Sequence, residues 1–503
     1  MTESASLLDL LTAGKPAEQR PWPRYRLSRE LWHVLIGRLA ETDWVLLGLW
    51  AEPMEVHAAL MDTASGAIAV ASLACPDRRF PSLSNARPSA IRLERAAQDL
   101  FALVAEGLTD GRPWLDHGQW RSLPDGVGEP ARRPATDYAF LPVEGESLHQ
   151  IPVGPVHAGI IEPGHFRFTA NGETVVRLEE RLGYVHKGTE RLMEGQTPHA
   201  AARLAARVSG DSTVAHSLVF ARAVEAAAAI EVPPRAVWLR GLMAELERMA
   251  NHLGDVGAIC NDASFPLLQS QCTVLREEVL RTAERCFGHR LMMDRVIPGG
   301  VAADLDAGGV ESLRALAASI APRWAHVFRI YDNKPSLLDR TVTTGIVRPE
   351  LVHRFAAGGH VGRASGRGLD ARRVPGYPPY DELDFEVPVF MEGDVHSRVL
   401  VRFREVDASL GLVTQIIDRM PAGEIAVSLP GRAGEGMALV ESFRGDILAW
   451  VRLDAEGRIV RAHARDPSWF QWPLLEAAIE GNIVADFPLC NKSFNCSYSG
   501  HDL

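Results

Sequence analysis

Hydroxyl, carboxylate and imidazole side chains interrupt an Ala/Val/Leu-rich helical pattern near the middle of the chain. A Ser-Gly-Asp-Ser sequence runs from Ser209 to Ser212, and His216 follows about one helical turn later. Glycine costs about 1 kcal/mol inside a helix, and Ser and Asp compete there for backbone hydrogen bonds. The pattern favours a loop, or the N-cap of a helix that begins near Thr213.

A second set of polar residues lies in the helical pattern 234–262, which opens after two prolines. Glu245, Arg248 and His252 recur at i, i+3 and i+7, so they share one face of the helix. An exposed stripe of ion pairs is the ordinary interpretation of such a face. Asp262 ends the segment in apolar surroundings, where burial and any nearby histidine would set its pKa, as suits a proton donor.

Charged residues are also dense between 363 and 400, a density that by itself is compatible with a solvated loop. Two histidines flank a Pro- and Gly-rich turn, GPVHAGIIEPGHF, at His157 and His165. A single histidine on a turn is most often simply solvated. None of these patterns identifies a reaction without further information.

Composition limits the class of protein. The net charge of −11 and the absence of a basic run argue against nucleic-acid binding. The N-terminus has no secretory signal pattern, and no apolar stretch approaches the 18 residues of a membrane span. The six cysteines form no C-x-x-C pair, which argues against a metal site of closely spaced thiols within this chain. We expect a cytoplasmic or peripheral protein whose membrane association depends on partners.

The periodicities predict an α+β fold, and the length of 503 residues predicts two or three domains. Residues 1–123 are expected to form a small α/β domain, 124–137 a Pro- and Gly-rich linker, and 138–503 a mainly helical bundle flanked by small antiparallel β elements. The expected elements are a helix capped by Ser28, strands at 44–52 and 55–75, a helix at 91–108, a hairpin turning at Asn171-Gly172, helical segments at 198–230, 234–262 and 266–288, and an antiparallel sheet in 424–503.

The segment from Arg207 to His216 resembles the first metal-binding segment of [NiFe]-hydrogenase large subunits, R-V-C-G-x-C-x-x-A-H. It is also similar to the matching segment of the quinone-site core subunit of respiratory complex I. Both cysteines are serines here, Ser209 and Ser212. The second hydrogenase segment, D-P-C-x-x-C, aligns at the C-terminus, where the cysteine positions hold Ser497 and Gly500.

The resemblance extends over most of the chain. The stretch 361–405 resembles the R-A-S-G-x-x-x-D-x-R motif of both families, and E-S-F-R-G at 441–445 resembles E-x-x-R-G. GPVH at 154–157 is similar to the hairpin that enters the quinone cavity in complex I, and the helix after Pro88 resembles the small core subunit of that complex. The matching residues are Glu94, Arg95, Asp99, Phe101, Pro113, His157, Arg363, Ser365, Gly366, Asp370, Arg372, Tyr380, Phe385, Gly393, Asp394, Arg398, Glu441 and Arg444.

This resemblance implies a subunit of a membrane-associated, energy-converting-hydrogenase-related oxidoreductase. Such a subunit forms a quinone-type cavity beside a [4Fe–4S] cluster held by a small partner subunit, and antiporter-like membrane subunits use the reaction to move ions. The location implied is the cytoplasmic side of the inner membrane. Without four thiolates the chain is expected to bind no metal and to turn over no hydrogen. The alternative is a non-catalytic scaffold between a redox partner and the membrane arm.

The residues implied fall into two groups. Asp262 and His157 or His165 are the candidate proton donors to a quinone, since either Pro163 or His165 takes the place of the second histidine of the hairpin motif. The candidates that face the cavity or the partner's cluster are His186, Lys187, Ser209, Ser212, His216, Arg363, Asp370, Arg372, Glu441, Arg444 and Ser497.

Overall fold

A computed structural model describes residues 6–116, 138–159 and 161–503. The predicted linker at 124–137 lies outside these residues, so the proposed domain boundaries remain a prediction. The α+β class is confirmed, since helices and antiparallel sheets share the described chain. No helix among the described residues is both long and apolar enough to cross a membrane.

The N-terminal region is a five-stranded sheet with helices beside it. Its elements are α1 (Leu7–Leu11), β1 (Lys15–Ala17), β2 (Arg24–Leu27), α2 (Arg29–Glu41), β3 (Val45–Glu52), β4 (Glu55–Met61), β5 (Ile68–Ala74), β6 (Arg79–Pro81), α3 (Ala90–Phe101) and β7 (Val104–Glu106). The strand order is β1-β2-β5-β4-β3, with β2 and β5 parallel and the other pairs antiparallel. Ser28 caps α2 as predicted, through a hydrogen bond from Leu31 N.

Helix α3 differs from its predicted form in length and burial. It ends at Phe101, where Ala102 takes a left-handed conformation, instead of continuing to 108. Its charged residues face inward: the Glu94 carboxylate accepts bonds from Ser82 Oγ and Leu83 N, each at 2.6 Å. Glu94 is therefore buried, because the buried Leu83 N–H and Ser82 hydroxyl of the neighbouring loop need these acceptors.

The rest of the chain surrounds a helical bundle. Its first elements are β8 (Leu148–Val153), β9 (His165–Asn171), β10 (Thr174–Arg181), α4 (Thr189–Met193), α5 (Pro198–Ala205), α6 (Thr213–Ala228), α7 (Pro234–Asp262), α8 (Pro266–Phe287), β11 (Val296–Ile297), β12 (Gly300–Val301) and α9 (Ala307–Asp332). They are followed by α10 (Pro335–Thr341), α11 (Pro349–Phe355), α12 (Gly359–Ala364), α13 (Val395–Arg419), β13 (Gly434–Glu441), β14 (Asp446–Leu453), β15 (Ile459–Arg465), α14 (Ser468–Ala478), α15 (Phe487–Phe494) and α16 (Tyr498–Asp502).

Most predicted elements are confirmed. The hairpin of β9 and β10 turns at Asn171-Gly172, and α7 and α8 have nearly the predicted bounds, each beginning with a proline in its first turn. The region 198–230, which was predicted as one helical segment, forms two helices. A short 3₁₀ turn at Gly210–Ser212 separates α5 from α6, so the Ser-Gly-Asp-Ser sequence interrupts the helix as its composition indicates.

The C-terminal sheet β13-β14-β15 joins the two regions. Helix α6 packs closely on it, because a Cβ at Gly436 would lie 2.0 Å from Ala223 O. On the N-terminal side, the Trp50 ring lies 5.5 Å from Trp450, and the Arg452 guanidinium binds Glu52. The polar segment before α6 lies between the bundle and this sheet, because Asn251 on α7 donates to Asp211 O and Arg444 after β13 pairs with the Asp211 carboxylate.

Candidate functional site

The two segments that resemble the hydrogenase metal ligands meet in the folded chain. Ser497 Oγ donates to Ser209 Oγ at 3.0 Å, although 288 positions separate them. Ser497 is the N-cap of α16, where its hydroxyl accepts a bond from Gly500 N at 2.8 Å. Ser212 is buried, and its Oγ has no hydrogen-bond partner among the described residues. We refer to Ser209, Ser212, Ser497 and Gly500 as the serine cluster.

Charged side chains enclose the serine cluster. Ser209 Oγ donates to Asp211 at 2.8 Å, and Asp211 forms an ion pair with Arg444. His216 lies on α6 with Nε2 3.1 Å from the Asp466 carboxylate. Burial would raise the pKa of Asp466, but the hydrogen bond from His216 and the charge of Arg444 lower this pKa to about 2. An ionised Asp466 therefore lies at the edge of the cluster.

The residues of the serine cluster do not fit a thiolate-held nickel–iron group. Three neutral hydroxyls and a hydrogen atom stand at the four positions, and soft thiolates are the donors that such ions require. A Cβ at Gly500 would lie 2.7 Å from an Asp466 oxygen, so a side chain has no room there. Burial raises the pKa of Cys490 to about 11, and the pKa of Cys496 is also raised, so neither buried thiol supplies a thiolate at neutral pH.

The charged residues of the motif after 361 are buried, although Asp381, Glu382, Asp384 and Glu386 further along are exposed. Arg363 Nη1 lies 2.8 Å from Glu441, and its Nη2 lies 2.7 Å from Glu405. Arg372 Nη2 lies 2.7 Å from Asp370. All five side chains are at most 2% exposed, so the interpretation as a solvated loop is wrong for Arg363, Asp370 and Arg372.

The polar face of α7 completes this assembly. Glu245 accepts bonds from Tyr380 Oη and Ser409 Oγ at 2.6 Å each, and His252 Nε2 lies 2.6 Å from Glu405. An exposed stripe is thus also wrong for Glu245, Arg248 and His252, which are buried in the bundle. We refer to the following residues as the ion network: Arg248, Arg363, Arg372, Glu245, Asp370, Glu405 and Glu441.

One short loop links the ion network to the serine cluster. Arg248 donates to the carbonyls of Glu441 and Ser442, at the end of β13. Two residues further on, the Arg444 side chain binds Asp211 and the Asn495 carbonyl. The predicted residues Arg363, Asp370, Arg372, Glu441 and Arg444 therefore lie in one continuous buried assembly with Ser209 and Ser497.

The three candidate proton donors lie apart from this assembly. His157 is half-buried with its ring 5.5 Å from Phe166, and burial lowers its pKa. His165 uses both ring nitrogens, Nδ1 at 3.3 Å from Gly154 O and Nε2 accepting from Arg167 at 3.2 Å. No hydrogen bond joins these two histidines to each other in the described chain.

Asp262 is the last residue of α7 and is half-buried. Burial raises its pKa, against the opposing charge of Lys492. Asp255 on the same helix bonds Asn495 at 2.9 Å, beside the serine cluster. At 1.5 Å of rise per residue, Asp262 lies roughly 10 Å further along the helix axis. The structure therefore places Asp262 away from the serine cluster.

His186 and Lys187 contact the C-terminal residues. His186 Nδ1 lies 2.7 Å from the Asp502 carbonyl, and Lys187 N donates to Leu503 O at 3.1 Å. The Lys187 side chain itself is exposed. These two predicted residues thus hold the segment that follows Ser497, without touching the serine cluster directly.

Sequence reasoning assigned no role to Asp211, Glu405 or Asp466. Asp211 lies within the segment that was singled out, and Glu405 lies seven positions after Arg398 on α13, a spacing that indicates a shared face. No periodic signal marks Asp466, which follows β15 directly. Its position is decided by contacts with a histidine 250 residues earlier.

One other group of potential metal ligands occurs among the described residues, formed by Glu52, Glu55 and His57. Their charges are already compensated, because Arg452 binds Glu52 and Arg26 binds Glu55 at 2.9 Å. The group acts as an ion-pair junction at the edge of the N-terminal sheet.

Two family profiles match the sequence of this chain. The profile described as respiratory-chain NADH dehydrogenase, 49 Kd subunit, matches residues 268–432 and 428–502. The profile described as nickel-dependent hydrogenase matches residues 187–254, which contain the first half of the serine cluster.

Individual relatives cover much of the chain. Formate hydrogenlyase subunit 5 of Escherichia coli (strain K12) is 31% identical over 440 residues, 84% of this chain and 77% of the relative. The carbon monoxide-induced hydrogenase of Rhodospirillum rubrum is 32% identical over 352 residues, 69% of this chain and 98% of the relative. An NADH-quinone oxidoreductase subunit of Roseiflexus sp. (strain RS-1) is 33% identical over 354 residues, 67% of this chain and 94% of the relative. The chain therefore belongs to the large-subunit family shared by group 4 hydrogenases and complex I.

Proposed function

We propose that this chain is the large subunit of a membrane-associated, complex I-like oxidoreductase that does not turn over hydrogen. The observation that carries the proposal is the serine cluster, in which Ser497 and Ser209 hydrogen-bond to each other at positions where hydrogenases of this family hold thiolates. Electrons come from a [4Fe–4S] cluster in a small partner subunit, and the acceptor is a quinone-type molecule. Antiporter-like membrane subunits provide both the membrane attachment and the ion transport.

The chain's own contribution is to shape the site and to supply protons. Reduction of a quinone to a quinol adds two electrons and two protons, so protons must reach the quinone oxygens. Asp262 has a raised pKa because it is half-buried, which lets it hold a proton at a higher pH than an exposed aspartate does. His157 has a lowered pKa, so it is neutral at pH 7 and can donate a hydrogen bond to a carbonyl oxygen.

Elemental analysis tests the first part of the proposal. Protein purified after growth with added nickel should contain far less than one nickel per chain and should show no hydrogen-dependent dye reduction. Hydroxyl groups bind Ni²⁺ too weakly to compete with water. Stoichiometric nickel together with hydrogen uptake would overturn the proposal.

The second part is tested in the purified complex, by quinone reduction that is sensitive to rotenone or piericidin. Replacing Asp262 with Asn should lower quinone turnover by roughly 10²–10⁴, the usual scale for a general acid, with assembly unchanged. Asp332→Asn is the matched control, because Asp332 is also the last residue of a long helix but is exposed. Normal turnover in an assembled Asp262→Asn complex would remove Asp262 from the mechanism.

A non-catalytic scaffold is the second candidate function, and the geometry of the histidines favours it. Both nitrogens of His165 are engaged by Gly154 and Arg167, so His165 has no ring nitrogen to offer a substrate. A complex that assembles fully and shows no inhibitor-sensitive quinone reduction would support the scaffold over the enzyme.

A further inference from the structure

A cavity of about 500 Å³ lies between the N-terminal region and the bundle, away from the serine cluster. One wall comes from β3 and α3, and the other from the segment around α4, from β15 and from the C-terminal residues. Ligand sites are most often clefts of roughly 300–1,000 Å³, and domain interfaces are a preferred location. None of His157, His165, Asp262, Ser209 or Ser497 lines this interdomain cavity.

Most of the wall is apolar and rigid. The residues that provide it include Leu49, Leu93, Ala97, Leu100, Phe101 and Trp469. Trp469 is also stacked on His501 at 4.2 Å, which fixes the plane of its indole ring. A wall of aliphatic side chains beside an aromatic face suits a flat, apolar ring.

The polar part of the lining includes a hydrogen-bonded triad of Glu190, Arg461 and His463, on α4 and β15. Glu190 lies 2.7 Å from Arg461 Nη1 and 2.8 Å from His463 Nδ1. Because Nδ1 faces a carboxylate, we assign its proton to Nδ1, which leaves Nε2 as an acceptor. The Trp50 ring stacks on His463 at 5.4 Å and closes this end of the cavity.

Three buried nitrogens on these lining residues have no hydrogen-bond partner among the described residues: Trp50 Nε1, Arg461 Nε and His463 Nε2. Two of them are donors, and each unmade bond to a buried group costs about 1–3 kcal/mol. Each of the three exposes less than 1 Å² of surface, so they form the packed wall behind the cavity and are not open to a ligand in it.

The mouth of the cavity carries one cation that is not neutralised locally. Lys187 is exposed and forms no ion pair within the described part of the chain, whereas Arg191 beside it is paired with Glu194. The Lys187 ammonium can therefore pair with an oxygen that carries negative charge, or donate a hydrogen bond to a carbonyl oxygen.

We propose that this interdomain cavity binds a flat apolar ring molecule that carries a hydrogen-bond-accepting oxygen, either a quinone or an aromatic acid. The site is separate from the serine cluster and from Asp262. The proposal does not depend on the function proposed above, since binding in this cavity involves no electron transfer and is unaffected by whether the chain holds nickel.

Two probes of similar size distinguish the sources of this chemistry. Menadione offers neutral carbonyl oxygens, and 2-naphthoate offers a carboxylate. Binding of each to the full chain, with its partner subunits where they co-purify, can be followed by the quenching of tryptophan fluorescence, because Trp50 and Trp469 line the cavity. At least one probe should quench saturably; if neither does, the proposal is overturned.

Cavity-filling variants locate the binding. Ala97→Phe places a ring in the cavity and should weaken binding at least tenfold. Ile91→Phe is the matched control, on the same helix and half-buried but outside the lining, and should bind within twofold of the wild type. Equal binding by wild type and Ala97→Phe would refute the assignment.

Two further measurements keep the test decisive if Ala97→Phe does not fold. Leu100→Trp fills the cavity from a partly buried position on the same helix and should have the same effect. A photoreactive naphthyl azide should label peptides that contain 93–101 or 186–194, and labelling confined to other peptides contradicts the site. If the ligand is an acid, Lys187→Gln should weaken the binding of 2-naphthoate more than the binding of menadione. If the ligand is a quinone, the variant should change the binding of both probes to the same extent.

Discussion

The serine cluster and the ion network lie on either side of one loop, yet they have diverged from the family patterns to different degrees. The serine cluster has none of the four cysteines of the hydrogenase motif, whereas the ion network keeps the motif's Arg363, Asp370, Arg372 and Glu441. The two regions differ in how strongly each side chain depends on its neighbours. A serine at a cysteine position remains small and can hydrogen-bond to its neighbours, as Ser209 and Ser497 do. Removing one charge from the ion network leaves its partners buried and unpaired.

The largest effect should come from breaking the ion network. Arg363→Met leaves Glu405 and Glu441 without their closest cation and should destabilise the protein by about 3–5 kcal/mol. Urea unfolding followed by circular dichroism measures this loss. Arg404→Met is the control, since Arg404 is exposed and lies 4.0 Å from Asp407, and it should change stability by less than about 1 kcal/mol. Equal losses in the two variants would mean that the network is not a cooperative unit.

A smaller effect is expected from adding one methyl group to the serine cluster. The Cβ of Gly500→Ala would lie 2.7 Å from Asp466 and 2.9 Å from Ser497 Oγ, so we expect a loss of about 1–3 kcal/mol. Gly210→Ala is the matched control, because a Cβ at that position meets no atom within 4 Å. A Gly500→Ala variant that is as stable as the wild type would show that the cluster has space for a side chain.

Glu247 connects α7 with the segment that carries Ser209 and Ser212. It lies on α7 and accepts bonds from Val214 N and Ala215 N at the start of α6, beside Ser212. Burial raises its pKa from 4.5 to about 8, so the folded protein retains a proton that the unfolded chain releases above pH 4.5. Its contribution to stability is therefore fully present below pH 4.5 and is lost as the pH rises to about 8.

Glu247→Gln removes this titration. The stability of the wild type relative to Glu247→Gln should fall as the pH rises from 5 to 8, by at most about 1.4 kcal/mol per pH unit. Urea unfolding at a series of pH values measures the difference. A difference that stays constant over this range would contradict a protonated Glu247 in the folded protein.

The smallest effect should follow the loss of a single hydroxyl. Ser497→Ala removes the N-cap of α16 and the bond to Ser209, and should cost about 1 kcal/mol in thermal or urea unfolding. Ser312→Ala is the control, because the exposed Ser312 hydroxyl donates only to Gly308 O, within the same helix α9. If Ser497→Ala loses as much stability as Arg363→Met, the contrast between the two regions is wrong.

Local patterns predicted much of the fold because they depend on neighbours in the chain. Ser28 caps a helix, Asn171-Gly172 turns a hairpin, and prolines open α7 and α8, as the sequence indicates. Burial was predicted less well. A charged helix face such as that of Glu245 and His252 has the same sequence pattern whether it faces solvent or polar and charged side chains from distant segments.

The sequence by itself therefore determined the α+β class, the family, and the absence of thiolates from the four positions of the serine cluster. Tertiary structure alone decided that Ser209 meets Ser497, that Asp466 lies against Gly500, and that a cavity separates α3 from α4. The physical reason is that side-chain chemistry is a property of each residue. Contacts between residues far apart in the chain depend on how whole helices and sheets pack, and no local pattern encodes that packing.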